Sequence, residues 1–548
     1  MKKRILYFSS FILIVLGVGI FIDQALFKPT EINSFIATKI YSSPANKAFT
    51  DENFYKCVVD AYNIEHHSNS EDYTKLPYTA NLSDSQLKTI KSISCNLYYK
   101  EGDIIKNATG IEKLTSLSRL NLSRSQLTEL DVSKNTALTL LDVRQNQLTS
   151  LDVSKNTALT YLDVSDNQLT KLEVSGAISL KEIVALGNQL EKVDVSKNIE
   201  LEELYFGPQK ADLDTYLSSK GNLLSSINLN NNTKLKALSL GNNKINSIDL
   251  SNNSELLELV LSGNDISELD VSKNKKMKVL VLGKGIKTNS ITKIDLSNNI
   301  NLEELYISGN KLINLDVSKN IALTSLHVGN NQLTNLNVSK NTTLTYLNVN
   351  NNQLTSLDIS KNTALTELHA YDNQLTNLNV GGATALSTLY AYDNQLTSLD
   401  VSNNTALTKL HVSYNQLTNL DVSNNTALTY LSVDGNRLTN IDVSKNTALK
   451  YLDVRNNQFA AKLVTYKGNI NIENDNRLVK LPEGKNSILT KINSDNEDVV
   501  IDGSNVSVGK TGDYIVTAKY KHNIGTYINW YKIVYNIKVV EITSDKYK

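Results

Sequence analysis

From residue 302 onward, tyrosine and histidine recur in the sequence at a spacing of 21 residues or a multiple of 21. Placed side by side, such side chains offer a large, rigid contact area at low cost in side-chain entropy, and tyrosine is enriched at binding hot spots. We predict a strip that contacts a protein or stacks on sugar rings. The alternative is that the rings only stack on one another and stabilise a sheet. The predicted ligand-binding residues are Tyr306, His327, Tyr346, His369, Tyr371, Tyr390, Tyr392, His411 and Tyr430.

A metal site is not expected among the histidines of this strip. His327, His369 and His411 lie two repeats apart, so their backbones would be roughly 9–10 Å apart if neighbouring repeats form neighbouring strands. Zinc needs ligand atoms about 2.0–2.1 Å from one ion, so the spacing is wrong. The sequence also contains no nucleophile elbow, zinc-protease helix or complete phosphate-binding loop. We therefore predict no metal, no cofactor, no catalytic residues and no enzyme activity.

An internal repeat determines which elements position the strip. The segment from Leu159 to Leu169 fits the pattern L-x-x-L-x-L-x-x-N-x-L. The interval between successive repeats is 21 residues except after Leu201 and after Met277, where it is longer. The repeats predict a leucine-rich-repeat solenoid of the α/β horseshoe type. The pattern starts at Leu117, Leu138, Leu159, Leu180, Leu201, Leu235, Leu256, Met277, Leu302, Leu323, Leu344, Leu365, Leu386, Leu407, Leu428 and Leu449.

Each repeat divides into a variable half and a constant half. Leu162 and Val164 alternate with polar residues, which predicts a short strand whose leucine and valine point inward. One repeat cannot bury its apolar face alone, so the strands must stack into a parallel β-sheet. Asn146 and Asn167 follow the strands and should turn the chain while satisfying buried backbone groups. The segment Leu130–Asn135 varies little between repeats, which assigns ligand contact to the strand half, on the concave face.

The segment Leu148–Gln168 resembles the leucine-rich repeats of internalin-type surface proteins of Gram-positive bacteria, and the resemblance extends from about Phe49 to Phe459. It implies an α-helical N-terminal cap at residues 49–113, in which we predict helices over 49–62 and 83–94. Cys57 and Cys95 both fall in this cap and are candidates for a disulfide in an exported chain; the alternative is two buried thiols. The resemblance also implies host-cell adhesion.

The two ends of the chain predict export and a further domain. Residues 1–22 join a basic head to an apolar stretch and predict a membrane anchor or a cleaved signal, followed by a linker at 23–48. The repeats occupy residues 114–460. Residues 461–548 are rich in β-branched and aromatic residues and predict an immunoglobulin-like β-sandwich.

Charge and composition narrow the function further. The chain has 56 basic and 56 acidic residues, so it has no general attraction for nucleic acid. We predict an extracellular binding or adhesion protein that is held at the cell surface by its N-terminal segment, or secreted. Its concave face would engage a protein or glycan on another cell or in the envelope. The alternative is a structural spacer of the cell envelope without a specific ligand.

Overall fold

The computed structural model describes residues 46–67, 75–95, 104–208, 221–283, 289–443 and 445–458, together with the backbone of strands between residues 464 and 539. The predicted anchor at 1–22 and most of the predicted linker lie outside these ranges. Within the described ranges, no helix has the length and apolar character needed to cross a bilayer.

Two helices precede the repeats: α1 spans Glu52–His67 and α2 spans Asp84–Leu87, and a short 3-10 helix follows at Ile111–Lys113. Apolar side chains of α1 and α2 belong to the same core as the repeats. The prediction of one helix over 83–94 is wrong beyond Leu87. There the chain turns, and Ser92–Ser94 forms strand β1, whose Ile93 pairs with Leu120 of the first repeat. A spacing of three between Leu87, Ile90 and Ile93 fits a helix face, but the exposed edge of the sheet favours pairing.

The repeats form one long parallel sheet, and each strand pairs in register with the corresponding residues of the next repeat. Seventeen of the nineteen strands of this sheet run parallel, and β24 and β25 close its end in antiparallel orientation. The parallel strands are β1 with β2 (Arg119–Asn121), β3 (Leu140–Asp142), β5 (Tyr161–Asp163), β7 (Glu182–Val184), β8 (Glu203–Tyr205), β9 (Ala237–Ser239), β10 (Glu258–Val260), β11 (Val279–Gly283), β12 (Glu304–Ile307), β13 (Ser325–His327), β14 (Tyr346–Asn348), β16 (Glu367–His369), β18 (Thr388–Tyr390), β19 (Lys409–His411), β20 (Tyr430–Ser432) and β22 (Tyr451–Asp453).

The remaining strands lie opposite the long sheet or in the C-terminal part of the chain. Pairs β4–β6 and β15–β17 are parallel and lie in the constant half of their repeats, and β21 pairs with β23. Strands β26 to β30 pair antiparallel. Their bounds are β4 (Ser150–Asp152), β6 (Lys171–Glu173), β15 (Ser356–Asp358), β17 (Asn377–Asn379), β21 (Ile441–Asp442), β23 (Val464–Thr465), β24 (Asn471–Ile472), β25 (Val479–Lys480), β26 (Ile492–Ser494), β27 (Val499–Asp502), β28 (Asn505–Val508), β29 (Gly512–Ile524) and β30 (Tyr527–Val539).

The apolar positions of the repeat form a continuous core between the two halves. Leu162 and Val164 of the strand half and Val153 of the constant half are fully buried, as the alternation predicts. The same positions are buried in the later repeats, for example Leu389 and Leu410 beneath the predicted strip. Because every repeat is covered by its neighbours, the strand residues that flank each central leucine are held at a fixed spacing.

A ladder of asparagines follows the strands and confirms the role predicted for Asn146 and Asn167. The amide nitrogen of Asn167 donates to the carbonyl oxygens of Val143 and Val164, each at 3.0 Å. Its side-chain oxygen accepts from the backbone N–H of Leu148 at 3.0 Å. One side chain thus satisfies three buried backbone groups in two successive repeats and fixes their spacing.

A second ladder of asparagines runs through the constant half. Asn341 donates to the carbonyl oxygens of Val317 and Asn320, at 3.0 and 2.9 Å. Alanine takes this position at residues 177 and 383, and there the preceding residue is a glycine. A Cβ at Gly382 would lie 1.8 Å from the carbonyl oxygen of Ser360, so these two turns pack closer than the others.

Candidate functional site

The predicted strip lies on one face of the long sheet. In each strand the central leucine is buried, and the first and third residues point to the opposite side, which we call the concave face. Register places Tyr306, His327, His369, Tyr390 and His411 at the third position of successive strands, interrupted by Asn348. Tyr346 and Tyr430 stand at the first position, and Tyr371 and Tyr392 follow strands β16 and β18. All nine predicted side chains are half-buried.

The rings of this face form one continuous chain of contacts, which we call the aromatic ladder. Neighbouring ring centroids lie between 4.1 and 6.1 Å apart, within the range of favourable aromatic pairs. The structure therefore brings together every residue of the predicted strip and adds one more. The aromatic ladder comprises Tyr306, His327, Tyr346, His369, Tyr371, Tyr390, Tyr392, His411, Tyr430 and Tyr451.

At its first end the ladder is stacked face to face. His327 lies between Tyr306 and Tyr346, with centroid distances of 4.2 and 4.4 Å and interplanar angles of 19° and 20°. The ladder changes column at this point because the third position of β14 is Asn348, which has no ring. Tyr346 reaches across from the first position and contacts His369 at 5.4 Å, so the contact continues.

Towards its other end the ladder mixes stacked and edge-on contacts. Tyr392 stacks on Tyr371 at 4.5 Å and 7°, and its other side contacts His411 at 4.4 Å. Tyr390 meets His411 edge-on at 86°. His411 also contacts Tyr430 edge-on, at 6.0 Å. The ladder is therefore packed on both flanks of His411, which fixes the orientation of the exposed ring edges.

Two aromatic residues of this region were missing from the sequence prediction. Tyr451 stacks on Tyr430 at 4.1 Å and 12°. Its signal was available, because Tyr451 follows Leu449 as Tyr430 follows Leu428. Tyr414 lies beside the ladder in the turn after β19 and is 53 % exposed. The repeat pattern of the strands does not predict Tyr414, because this residue lies in a turn. Asparagine, aspartate or glycine occupies the same turn position in neighbouring repeats.

Several tyrosines of the aromatic ladder are partly shielded from water. Burial raises the pKa of Tyr346 and Tyr371, and it raises the pKa of Tyr392 to about 12. The phenol groups therefore stay protonated and can donate hydrogen bonds. Carboxylates at the first strand position orient two members. The hydroxyl of Tyr306 donates to Glu304 at 3.1 Å, and the Nε2 atom of His369 lies 2.6 Å from Glu367.

The first half of the concave face differs in charge from the second. Asp142 and Asp163 stand at the third position of β3 and β5, and Arg144 contacts both carboxylates at 3.6 and 3.4 Å. Burial, followed by the charge of Asp163, raises the pKa of Asp142. A patch of valines at Val260 and Val281 separates this acidic region from Tyr306. Among the described residues, the continuous chain of ring contacts lies in the second half.

The burial of His411 makes the stability of the fold depend on pH. Burial lowers the pKa of His411 below its usual 6.5, against the opposing charges of Asp453 and Asp434. Because the folded pKa is the lower one, the unfolded chain binds more protons in the window between the two values. The stabilisation is fully present above pH of about 6.5 and is lost as pH falls through the folded pKa. We expect the urea midpoint to fall between pH 7.5 and 5.5, and the His411→Gln variant to lose part of that fall. An unchanged slope in the variant would contradict this assignment.

The structure places the two cysteines side by side. Cys57 in α1 and Cys95 after β1 are both buried, and burial, followed by the neighbouring Cys57, raises the pKa of Cys95 well above its usual value. The predicted disulfide and its alternative, two buried thiols, both fit this proximity, so the disulfide stays a prediction. Among the described residues, no group of three or more histidine, cysteine or acidic side chains is arranged to hold a metal ion.

Comparisons with known proteins match this architecture. A family model described as "Leucine Rich repeat" matches residues 155–172, 340–361 and 403–423. The solved functional domain of InlJ from Listeria monocytogenes is 30 % identical; the match covers 87 % of this chain and 95 % of that one, with a TM-score of 0.59. A leucine-rich-repeat protein of Leptospira interrogans is 22 % identical over 65 % of this chain and 88 % of its own, with a TM-score of 0.53, and shows the shared fold. A search among curated proteins gives no significant match.

The similarity to InlJ includes one instructive difference. The InlJ domain is described as containing a cysteine ladder. This chain has two cysteines, both before the first repeat, and asparagine ladders run through its repeats. The solenoid of 21-residue repeats is a fold typical of protein-binding proteins. Because the InlJ domain is 30 % identical to this chain and is covered over 95 % of its length, the chain belongs to the internalin-like family of bacterial leucine-rich-repeat proteins.

Proposed function

We propose that this chain is an extracellular adhesion protein that binds a protein ligand on the concave face of its second half. The aromatic ladder from Tyr306 to Tyr451 is the observation that supports this proposal. It is a half-buried surface in which each ring is positioned by its neighbours and by a buried leucine beneath it. A ligand that binds to such a surface orders few side chains, so most of the contact energy appears as affinity.

The arrangement of the rings favours a protein over a glycan. A sugar stacks on the exposed face of a ring, but both faces of His327 and of Tyr392 are covered by neighbouring rings. The stacked members therefore present edges, hydroxyl groups and imidazole nitrogens. Such a surface suits the mixed apolar and hydrogen-bonding contacts of a protein interface, where tyrosine is enriched.

The flanking segments support the same proposal. The helices α1 and α2 pack on the core beside β1, where they would shield the apolar edge of the first repeat as an N-terminal cap. The antiparallel strands from β26 to β30 would form the predicted immunoglobulin-like domain at the other end. Residues 1–22 would export the chain and hold it in the membrane or be removed. We propose no catalytic activity for any of these parts.

The structural-spacer alternative rests on the same stacking. Rings that pack on one another stabilise neighbouring strands whether or not a ligand is present. If the protein is a spacer, we expect no saturable binding to a partner. Removing rings should then lower the free energy of unfolding without affecting any binding.

Binding to cultured epithelial cells tests the proposal. Labelled full-length protein is titrated onto untreated cells, onto cells whose surface proteins have been trimmed with trypsin, and onto cells whose surface glycans have been oxidised with periodate. We expect saturable binding that trypsin removes and periodate leaves. Loss after periodate alone would favour a glycan ligand, and the absence of saturable binding would favour the spacer.

A further inference from the structure

One turn beside the aromatic ladder adopts a backbone conformation that its residue disfavours. Most residues that precede the asparagine ladder have a positive φ, near 50–75°, and most of them are asparagine, aspartate or glycine, which tolerate it. Tyr414 takes this position after β19 with a φ of 52°. A bulky residue in the left-handed region stores strain, and such strain persists where the surrounding structure holds it.

The following repeat is shaped to hold the Tyr414 ring. Gly435 occupies the same position one repeat later, and a Cβ there would lie 2.7 Å from Cδ1 of Tyr414. The ring therefore lies over the Gly435 backbone, where no other residue fits. Interaction with the carboxylate of Asp434 raises the pKa of Tyr414, and that carboxylate accepts a hydrogen bond from Asn456 at 3.0 Å. The ring is thus fixed on one side and still 53 % exposed.

The two repeats before Tyr414, on the side away from Gly435, carry negative charge at the same turn position. Asp393 and Asp372 occupy the equivalent turn position one and two repeats earlier. Burial and the charge of Asp372 raise the pKa of Asp393. Within the described part of the chain, neither carboxylate forms an ion pair with a cation. An exposed ring with a carboxylate one repeat away and another two repeats away is complementary to a positively charged side chain.

We propose that Tyr414, Asp393 and Asp372 form a receiving site for an arginine side chain of the protein ligand, at the edge of the aromatic ladder. The guanidinium group is planar, so it stacks on the free face of the Tyr414 ring while its N–H groups reach Asp393. Arginine fits this combination better than lysine, whose ammonium is a compact and strongly hydrated charge. This inference rests on the proposed function, because it assumes a protein ligand on the concave face.

A small probe tests the site without the natural ligand. Saturation-transfer NMR is recorded on purified full-length protein with N-acetyl-arginine amide, and with N-acetyl-citrulline amide as the uncharged analogue of the same shape. We expect transfer to the arginine side chain that is at least five-fold stronger than transfer to citrulline. The Tyr414→Asn variant, which installs the residue found at this turn in other repeats, should lose most of that signal. Asp393→Asn should weaken it, and Tyr161→Asn, outside the ladder, should leave it unchanged.

Two outcomes would overturn the inference. Equal transfer to arginine and citrulline would exclude a charge-selective site, and an unchanged arginine signal in Tyr414→Asn would place any such site elsewhere. Because asparagine tolerates a positive φ, the variant should also melt at the same temperature as the parent or about 1–2 °C higher. Loss of cell binding plays no part in this test, so its failure leaves the proposed function standing.

Discussion

Replacing both Tyr390 and His411 by alanine is expected to weaken binding to cells by about 1,000-fold while the protein stays folded, because two hot-spot residues of about 2 kcal/mol each are removed. Tyr390 and His411 lie within the ladder, and His411 contacts three other rings. Both side chains are half-buried, and the buried leucines beneath them stay in place. The dissociation constant on untreated cells, measured beside the circular dichroism spectrum, checks both parts of this prediction.

A tyrosine on the same face provides the matched control. Tyr161 stands at the first position of β5, is half-buried like the ladder residues, and lies in the acidic half of the concave face. Tyr161→Ala should bind as the parent does. Equal loss of binding in Tyr161→Ala and in the double variant would show that the effect comes from the sheet as a whole. Retention of full affinity by a folded double variant would contradict the proposed site.

The second large effect concerns the ladder that spaces the repeats. Asn341→Ala should lower the free energy of unfolding by about 2 kcal/mol, because two buried carbonyl oxygens, those of Val317 and Asn320, lose their donor. Asn341→Asp should cost about 3–5 kcal/mol, since it places an uncompensated carboxylate beside those same oxygens. Urea denaturation monitored by circular dichroism measures both changes.

The exposed neighbour Lys340 is the control for this pair of variants. Lys340→Ala changes one exposed side chain in the same turn and leaves the asparagine ladder intact. Its free energy of unfolding should therefore equal that of the parent. If Asn341→Asp proved as stable as Asn341→Ala, the hydrogen-bonding role of this side chain would be wrong. The natural alanine at residue 383 is no counterexample, because Gly382 lets that turn pack closer.

The repeat allowed the architecture and the location of the strip to be predicted from the sequence. Leucine at fixed positions requires stacking, and stacking in register places every twenty-first residue in one column. The repeat therefore predicts that His327 and His369 share one column. The strand at Ser92–Ser94 was missed, because it carries one repeat-like apolar residue, Ile93, and depends on pairing with Arg119–Asn121.

The contacts within the site were less predictable than its location. Register gives the position of each backbone, whereas the ring contacts depend on rotamers and on neighbouring side-chain size. Tyr346 connects His327 to His369 because Asn348, between the two histidines, has no ring and leaves room for it. The position of each residue in its strand does not predict this contact. Tyr414 was missed for another reason: its importance lies in a backbone angle and in Gly435 of the next repeat.

Footprinting of the tyrosines tests the central claim most directly. Full-length protein, free or bound to cells, is exposed to hydroxyl radicals, and the oxidation of each tyrosine is measured by mass spectrometry. We predict that binding protects Tyr371, Tyr390, Tyr392 and Tyr430 several-fold, while Tyr161 and Tyr205 on the same sheet keep their oxidation rates. Unchanged oxidation of the ladder tyrosines in the bound protein would contradict the account, whatever the affinity of the complex.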